Sequence, residues 1–331
     1  MATLNLKDFA TDQEVRWCPG CGDYSILKAV QRALAAIGAK PEKTVFVSGI
    51  GCSSRLPYYI ETFGFHTIHG RAPAIATGIK LANPELDVWM VTGDGDGLSI
   101  GGKHLLHALR RNININILLF NNEIYGLTKG QYSPTSRPGT TSPSSPDGSI
   151  DRPIKPGNFA LGAGSTFIAR AVDVDQKSLP LILEQSREHQ GAAFVEILQN
   201  CIVYNKDVFD DVVNKKVASD TQIIVEHGKP LIYGKENNKG LRLNTTSLML
   251  ESIDIHGSPE ESGILIHDET NPTLAQMLLD LEPPNPVAMG IIHRQSKPVF
   301  EQGYWQKKSH GRREKIKTLL RTGTLLDRRS N

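Results

Sequence analysis

The sequence predicts an α/β fold, in which a doubly wound, mostly parallel β-sheet is flanked by helices and followed by a small C-terminal extension. The first observation is an apolar run over residues 88–91 that stops at a Gly-Asp-Gly turn and leads into a helical pattern. The second is an apolar run over residues 113–120 that ends in an Asn-Asn pair. Because a right-handed βαβ unit brings the carboxyl ends of both strands to one side of the sheet, the two polar turns are expected to meet.

The other elements follow from periodicity and from helix-ending or turn residues. Amphipathic or small-residue patterns predict helices over residues 26–37, between Pro73 and Pro84, and over residues 176–189 and 272–281. β-rich runs predict strands over residues 44–48, 166–172, 193–198, 247–255 and 263–267. Residues 127–158 are rich in Pro, Ser, Thr and Gly without an apolar period, which is typical of a long functional loop.

Length and charge bound the domain organisation. With 331 residues, 39% hydrophobic and 22% charged, the chain can form one large α/β domain and a smaller addition. We predict a domain over residues 1–210 and an extension with a basic tail over residues 211–331. The residues after Trp305 contain nine Lys or Arg and two acids, against a net charge of +2 for the whole chain. Such a tail is typical of a solvated or subunit-docking face, so we expect no nucleic-acid partner.

The expected cellular compartment is inferred from two features that the sequence does not show. No apolar run approaches the ~20 residues of a membrane span, and the N-terminus has acids where a signal peptide has a basic and then apolar start. We therefore expect a cytoplasmic location and no membrane partner. Four cysteines are few for a disulfide scaffold of this length, and a reducing compartment would keep them as thiols.

The two polar turns carry candidate metal ligands. Asp94 and Asn122 are separated by 28 residues, which suits a crossover with one helix, and their side-chain oxygens suit Mg²⁺ with a bound diphosphate. The helix that starts near Leu98 would offer N–H groups and a positive dipole end to phosphate oxygens. This Gly-Asp-Gly with a later Asn-Asn resembles the thiamine-diphosphate motif, in which Asp94, Asn122 and the backbone carbonyl of Ile124 would hold Mg²⁺. The alternative is a sharp surface turn on an ordinary α/β sheet.

The four cysteines form a second candidate metal site. Cys18 and Cys21 make a C-x2-C pair, whereas Cys52 and Cys201 stand alone far along the chain, each in a predicted loop. Four thiolates can bind either zinc or an iron–sulfur cluster. Zinc ribbons usually use two close pairs, so this spacing favours a cluster held across the fold. The alternative is that Cys52 and Cys201 are buried structural thiols.

The motifs together resemble one family, the β subunits of 2-oxoacid:ferredoxin oxidoreductases, and most closely the 2-oxoglutarate type. In chain order they read WCPGCGD, GIGCSSR, HTIHGRA, ATGIK, GDGDGLSIGG and FNNEIYGLTKGQ. The resemblance covers about residues 14–210. It implies that Cys18, Cys21, Cys52 and Cys201 bind a 4Fe-4S cluster close to thiamine diphosphate. It also implies a cofactor lining made by Ile50, Gly51, Ser53, His69, Gly95, Asp96, Gly126 and Leu127.

The same resemblance implies a reaction and its partners. We expect oxidative decarboxylation of 2-oxoglutarate, or of another 2-oxoacid, with coenzyme A to an acyl-CoA and CO2, and with electrons passing through the 4Fe-4S cluster to ferredoxin. The glutamate that activates thiamine would lie on an α subunit, because residues 211–331 lack the corresponding pattern. The expected assembly is αβ or α2β2, and the β chain alone is expected to be inactive.

Three further residues are candidates for catalysis or substrate selection. Arg55 lies three residues after Cys52, and its guanidinium could grip the second carboxylate of 2-oxoglutarate; the alternative is a surface arginine. His69 and Lys129 are candidates for polar contacts with the reacting centre, although a lone His or Lys is more often structural.

Two other classes stay open on the sequence. A non-oxidative thiamine-diphosphate decarboxylase or synthase subunit would keep Asp94 and Asn122 but would need no cluster. A zinc-stabilised binding module would be colourless, and its affinity for nucleic acid would fall steeply with salt.

Overall fold

The computed structural model describes residues 4–309 together with residues 318, 320 and 321. Most of the basic tail, including most of the helix predicted there, lies outside the described residues. Within the described part, no helix is both long and apolar enough to cross a membrane.

Over the first two hundred residues, an α-helix separates each strand of the large sheet from the next in sequence, except between β1 and β2. The strands are β1 (Thr44–Ser48), β2 (Phe63–His66), β3 (Asp87–Gly93), β4 (Ile115–Asn121), β5 (Ile124–Tyr125), β6 (Gln131–Tyr132), β7 (Phe167–Val172), β8 (Ala192–Leu198), β9 (Gln222–Val225), β10 (Ile232–Tyr233), β11 (Lys239–Asn244), β12 (Met249–Asp254) and β13 (Val287–Arg294). The α-helices are α1 (Asp23–Ala36), α2 (Ala72–Ala82), α3 (Gly102–Arg110), α4 (Pro156–Gly162), α5 (Ser178–Glu188), α6 (Asp210–Val213), α7 (Ala218–Thr221), α8 (Pro272–Asp280) and α9 (Phe300–Ser309).

Eight strands form one large sheet in the order β2-β1-β3-β4-β8-β7-β13-β9. All neighbouring pairs are parallel except β7 with β13. Two smaller antiparallel sheets are β10-β11-β12 and the β5-β6 hairpin. The predicted fold class, a doubly wound and mostly parallel sheet, is therefore confirmed.

The large sheet is covered on both faces, because successive strand residues point to opposite sides. Trp89 and Val91 of β3 pack into a core with α1 and α5, whereas Val88 and Met90 pack into a core with α2, α3 and α4. Nearly every residue of these central strands is buried, as expected for parallel strands between two helical layers.

The C-terminal part contributes to the same sheet. Strands β9 and β13 extend it beyond β7, while β10 to β12 and α8 surround a third apolar core that includes Leu241, Leu278 and Ile292. The division into two domains at residue 210 stays a prediction, but the extension is joined to the large sheet by backbone pairing.

Two local predictions need correction. The helix expected from about Leu98 begins as a π-helical segment, Asp96–Ile100, and regular α-helix follows only from Gly102, because Ser99 has a non-helical ψ of −105°. The strand predicted over residues 263–267 is wrong, since only Ile266 makes an isolated bridge, to Pro230. The segment instead makes irregular backbone contacts, in which the Leu231 N–H donates to the Leu265 carbonyl and the Leu265 N–H donates to the Leu241 carbonyl.

Candidate cofactor site

The carboxyl ends of β1, β3, β4 and β8 bring four loops to one side of the sheet. These strands are parallel, and in the order β1-β3-β4-β8 they are direct neighbours. The loops are residues 49–55, 93–96, 121–126 and 199–201. They carry both polar turns and the two single cysteines, so the candidate residues meet at one end of the sheet as the strand order requires.

A cavity of about 90 Å³ opens between these loops, and we call it the strand-end cavity. Every residue that the sequence predicted to line the cofactor or to ligate Mg²⁺ lines this cavity. Its lining is Ile50, Gly51, Cys52, Ser53, His69, Gly93, Asp94, Gly95, Asp96, Phe120, Asn122, Ile124, Tyr125, Gly126, Leu127 and Thr128. The roles of these residues toward a cofactor stay predictions.

Asp96 anchors the loops of the strand-end cavity. Its Oδ1 accepts hydrogen bonds from the backbone N–H of Ile50 at 3.1 Å and of Gly70 at 2.7 Å, and its Oδ2 accepts from the Thr92 hydroxyl at 2.7 Å. His69 Nδ1 also lies 2.6 Å from Asp96 Oδ1. A carboxylate that receives the Nδ1 hydrogen leaves Nε2 of His69 as the free ring nitrogen.

Asp94 is a buried carboxylate with hydroxyl donors. Its Oδ2 accepts from Ser133 at 2.5 Å and from Thr135 at 2.6 Å, and both hydroxyls come from the long loop after β5. Burial raises the pKa of Asp94, and no Lys, Arg or His within the described ranges lies at ion-pair distance from it. A hard divalent cation would offset the cost of that buried charge, so the group fits an oxygen-coordinated Mg²⁺.

A tight local turn presents Asn122 and Ile124 to the same cavity. Asn122 Oδ1 accepts from the backbone N–H of Ile124 at 3.2 Å, and the intervening Glu123 has a left-handed backbone with φ of 54°. Burial raises the pKa of Glu123 to about 7, while Arg137, 3.3 Å away, acts in the opposite direction. Arg137 also pairs with Asp211, so this ion pair ties the turn to the long loop and to α6.

The four cysteines surround a second cavity of about 180 Å³, which we call the cysteine cavity. Cys18 is exposed, Cys21 and Cys52 are half-buried and Cys201 is buried. The lining of this cavity is Arg16, Trp17, Cys18, Cys21, Cys52, Arg55, Asn122, Gly126, Leu127, Gln199, Cys201, Ile202, Val203 and Tyr204. Among the described residues, no three His, Cys, Asp or Glu side chains gather closely enough to hold one bare metal ion.

The thiols are electrostatically coupled. Burial raises the pKa of Cys52 to about 12, and the neighbouring Asp23, Cys201 and Cys18 add to this, whereas Arg55 lowers it. Burial also raises the pKa of Cys21. Because thiolate is the form that binds metal, loading of this site must release protons.

The two cavities share a wall. Cys52, Asn122, Gly126 and Leu127 line both of them. A Cβ at Gly126 would lie 3.4 Å from Cys201 Sγ and 3.8 Å from Cys52 Sγ, so any larger residue would project between these sulfurs. The oxygen-rich and the sulfur-rich sets are therefore direct neighbours.

The three predicted catalytic residues differ in position. His69 lines the strand-end cavity, whereas Arg55 lines the cysteine cavity and makes no side-chain ion pair or hydrogen bond within the described ranges. Lys129 is exposed, has a left-handed backbone with φ of 76° and lines neither cavity. The structure thus does not bring Lys129 to the site, and its role stays a prediction.

A larger groove of about 740 Å³ lies against the other side of Cys21. Its lining is mostly apolar and includes Lys28, Gln31 and Asp173. None of the Asp94 and Asn122 oxygens faces it, so we assign the cofactor chemistry to the two smaller cavities.

Sequence reasoning missed three polar residues next to the site. Ser133 and Thr135 hold Asp94 but stand in a Pro- and Ser-rich stretch that carries no periodic signal. Gln199 lines the cysteine cavity, and its available signal was its position directly after β8 and two residues before Cys201.

Comparison with known proteins agrees with this geometry. Residues 49–197 match the family model described as the C-terminal TPP-binding domain of thiamine pyrophosphate enzymes. The fold and the site thus define a thiamine-diphosphate-binding enzyme domain. The chain also superposes on a 2-oxoglutarate:ferredoxin oxidoreductase from Magnetococcus marinus, solved with 2-oxoglutarate, coenzyme A and succinyl-CoA bound, with a TM-score of 0.80, 32% identity and 98% of both chains covered.

Sequence relatives place the chain more closely. It is 50% identical over 304 residues to the 2-oxoglutarate oxidoreductase subunit KorB of Mycobacterium tuberculosis, covering 89% of this chain and 79% of that protein. It is 38% identical over 294 residues to a 2-oxoacid:ferredoxin oxidoreductase subunit beta of Saccharolobus solfataricus, covering 86% and 93%. The chain belongs to the β subunits of the 2-oxoacid:ferredoxin oxidoreductases, and the predicted family is confirmed.

Proposed function

We propose that this chain, together with an α subunit, catalyses the oxidative decarboxylation of 2-oxoglutarate with coenzyme A. The products are succinyl-CoA and CO2, and two electrons leave one at a time through a 4Fe-4S cluster to ferredoxin. The observation that carries the proposal is the wall common to the strand-end cavity and the cysteine cavity. Only an oxidative reaction needs an electron acceptor beside the thiamine site.

Thiamine diphosphate, when bound, supplies the carbon nucleophile and the electron sink for decarboxylation of a 2-oxoacid. Asp94, Asn122 and the Ile124 carbonyl would hold Mg²⁺ against the diphosphate. Asp96 fixes the loops around them through its bonds to Ile50 and Gly70. Asp96 also orients His69, so that the Nε2 atom of His69 is the ring nitrogen free for a polar contact in the cavity.

The cysteines would hold the electron acceptor. Cys18 and Cys21 are fixed by their own turn, in which the Cys21 N–H donates to the Cys18 carbonyl at 2.9 Å. Trp17 donates its indole N–H to the Cys52 carbonyl at 2.8 Å and so joins that turn to the Cys52 loop. Thiolate ligation of iron gives a cluster whose potential depends on charge, hydrogen bonds and exposure at the sulfurs.

Arg55 is the proposed determinant for the substrate. Its guanidinium borders the cysteine cavity next to the shared wall and has no protein partner in the described ranges. 2-Oxoglutarate carries a second carboxylate that pyruvate lacks, and arginine binds carboxylates with two parallel hydrogen bonds. This supports 2-oxoglutarate over pyruvate as substrate.

An α subunit would complete the site. The strand-end cavity of about 90 Å³ is small beside the ~300–1,000 Å³ of typical ligand pockets. Ile68, Ile100 and Leu127 stand around the loops that form it, and each is at least half exposed. Exposed apolar side chains of this kind favour coverage by another subunit.

Anaerobic purification of the complex with its α subunit tests the proposal. We expect a brown protein with about four iron and four sulfide per β chain, Mg²⁺-dependent binding of thiamine diphosphate, and reduction of ferredoxin that requires both 2-oxoglutarate and coenzyme A. A colourless complex that decarboxylates 2-oxoacids without an electron acceptor would instead favour a non-oxidative decarboxylase. A colourless zinc protein without thiamine binding would favour a binding module.

A further inference from the structure

One buried glutamine, Gln199, connects the two cavities through its side-chain amide. Its Oε1 accepts a hydrogen bond from Asn122 Nδ2 at 2.7 Å. Its Nε2 donates to Cys21 Sγ at 3.3 Å and to the Asn200 carbonyl at 2.8 Å. Gln199 as a whole residue is 1% exposed. It therefore touches one candidate magnesium ligand and one candidate cluster ligand at the same time.

The orientation of the Gln199 side-chain amide follows from which of its neighbours can donate a hydrogen bond and which can only accept one. The Asn200 carbonyl can only accept a hydrogen bond, so the nitrogen of Gln199 must face it and the oxygen must face Asn122. Asn122 in turn must present its NH2 group to Gln199. The Oδ1 atom of Asn122 is then the end directed away from Gln199, and only this oxygen can ligate a cation. The Asn200 carbonyl thus sets the orientation of the Gln199 amide, and Asn122 is held in the matching orientation from two sides, by Gln199 and by the Ile124 N–H that donates to its Oδ1 at 3.2 Å.

The hydrogen bond from Gln199 to Cys21 would act on the iron–sulfur cluster. A hydrogen-bond donor on a ligating sulfur stabilises the reduced cluster more than the oxidised one, because the added electron increases the negative charge on sulfur. Hydrogen bonds from groups outside the metal ligands also orient those ligands, and losing such a group typically costs about 10–100-fold in metal affinity.

We propose that Gln199 is a positioning residue for both metal centres: it turns the Asn122 oxygen toward Mg²⁺ and raises the potential of the cluster through Cys21. The inference rests on the proposed function, because it requires both centres. The backbone of Gln199 is held separately, since its N–H donates to the Asn121 carbonyl at 2.8 Å and continues the pairing of β4 with β8. Changes in the side chain alone can therefore be tested.

Two substitutions separate the roles. Gln199→Leu removes all three side-chain hydrogen bonds, whereas Gln199→Glu keeps an acceptor for Asn122 but loses the donor to Cys21 and to the Asn200 carbonyl. Each is made in the purified αβ complex. Binding of thiamine diphosphate is measured by calorimetry as a function of Mg²⁺, and the cluster is titrated with redox mediators.

We expect Gln199→Leu to lower the Mg²⁺ affinity about tenfold. It should also lower the equilibrium constant for cluster reduction about tenfold, which is about 59 mV for one electron. Gln199→Glu should lower the potential at least as much, while its Mg²⁺ affinity stays within about twofold of the unsubstituted complex.

Gln31→Leu is the matched control. Gln31 is also a buried glutamine, whose Nε2 donates to the Phe9 and Tyr59 carbonyls at 3.3 and 3.2 Å, but it lines neither the strand-end cavity nor the cysteine cavity. Its substitution should lower the melting temperature and leave both the potential and the Mg²⁺ affinity unchanged.

The outcomes are distinct. A Gln199→Leu complex in which either quantity stays at the unsubstituted value overturns the inference, and so does a tenfold loss of Mg²⁺ affinity in Gln199→Glu. If the Leu variant does not fold, the Glu variant decides alone: a lowered potential with retained Mg²⁺ affinity supports the inference, and any other result overturns it. Absence of the cluster or of Mg²⁺-dependent binding in the unsubstituted complex would refute the proposed function itself.

Discussion

At the amino end of the large sheet, both the oxygen and the nitrogen of the Asn112 side chain form hydrogen bonds with other protein groups. At the carboxyl end, four thiols and Asp94 instead line cavities. Asn112 Oδ1 accepts from the Ala192 N–H at 2.9 Å and the Thr166 hydroxyl at 2.7 Å. Its Nδ2 donates to the Lys297 and Pro298 carbonyls at 3.2 and 3.1 Å. One buried residue thereby joins β4, β7, β8 and the segment after β13.

This difference separates stability from function. A buried polar group with all its hydrogen-bond partners in the protein lowers the free energy of the folded state and needs no ligand. Around the cavities, burial of Asp94 and Cys52 carries a desolvation cost that their protein partners offset only in part, so a bound ligand would stabilise them further. Substitutions at the two ends of the sheet should therefore have separable effects.

The largest effect is expected from Cys201→Ser at the carboxyl end. Removal of one of four thiolates should abolish the stable 4Fe-4S cluster and with it ferredoxin reduction, while thiamine diphosphate still binds. Iron content and visible absorbance check this after anaerobic purification. Asp94→Asn is the reciprocal control, which should lose Mg²⁺-dependent binding and stay brown. If Cys201→Ser kept the full iron content, Cys201 would not be a cluster ligand, and the carboxyl end of the sheet would not be shown to hold a cluster.

Arg55→Leu tests selectivity at the same end. A charged two-bond contact is worth about 1.5–3 kcal/mol, so kcat/KM for 2-oxoglutarate should fall about 10–100-fold, and that for pyruvate should change little. Arg16→Leu is the matched control, because Arg16 also lines the cysteine cavity but is paired with Glu14 at 3.2 Å. Equal losses on both substrates in Arg55→Leu would contradict the assigned role.

Asn112→Gly tests the amino end. Asn112 has a left-handed backbone with φ of 51°, so glycine removes the side chain without adding strain. Loss of four hydrogen bonds should reduce the free energy of unfolding by about 2–4 kcal/mol in urea titrations, with unchanged cluster content and Mg²⁺ affinity. Asn237→Gly is the control, since Asn237 is exposed and has a similar φ of 52°. If cofactor binding weakened in Asn112→Gly, the two ends would not be separable.

The smallest expected effect is on the pH dependence of stability, through His189 at the amino end of the sheet. Burial lowers the pKa of His189 to about 4, with Arg294 and His293 acting in the same direction, and His189 Nε2 lies 2.7 Å from the Thr166 hydroxyl. Since the unfolded state binds the proton more tightly, His189 contributes stability above about pH 6.5 that is lost as the pH falls toward 4. The drop in melting temperature between pH 7.5 and pH 5 should be smaller in His189→Gln. Parallel curves for the two proteins would show that His189 is not the group responsible.

The sequence predicted the carboxyl end well for a physical reason. Strands β3 and β4 are apolar runs, and their glycine, aspartate and asparagine turns are short-range features that can be read directly. Asn112, Ser133 and Gln199 were missed, because the contacts that give them their roles, to Pro298, Asp94 and Cys21, span 186, 39 and 178 residues of the chain. Strands β9 and β13 were missed because polar, turn-rich sequence flanks their apolar residues. They also pair only with strands that are distant in the sequence.

Strand β13 has a consequence for any shortened form of the chain. It comes from residues 287–294 and covers the free side of β7, to which it is paired in antiparallel fashion. A fragment that stopped after the last cysteine would keep every recognisable motif yet leave the N–H and C=O groups of β7 open to other molecules. Such a fragment should aggregate, so the part of the chain with the fewest recognisable features protects the rest from self-association.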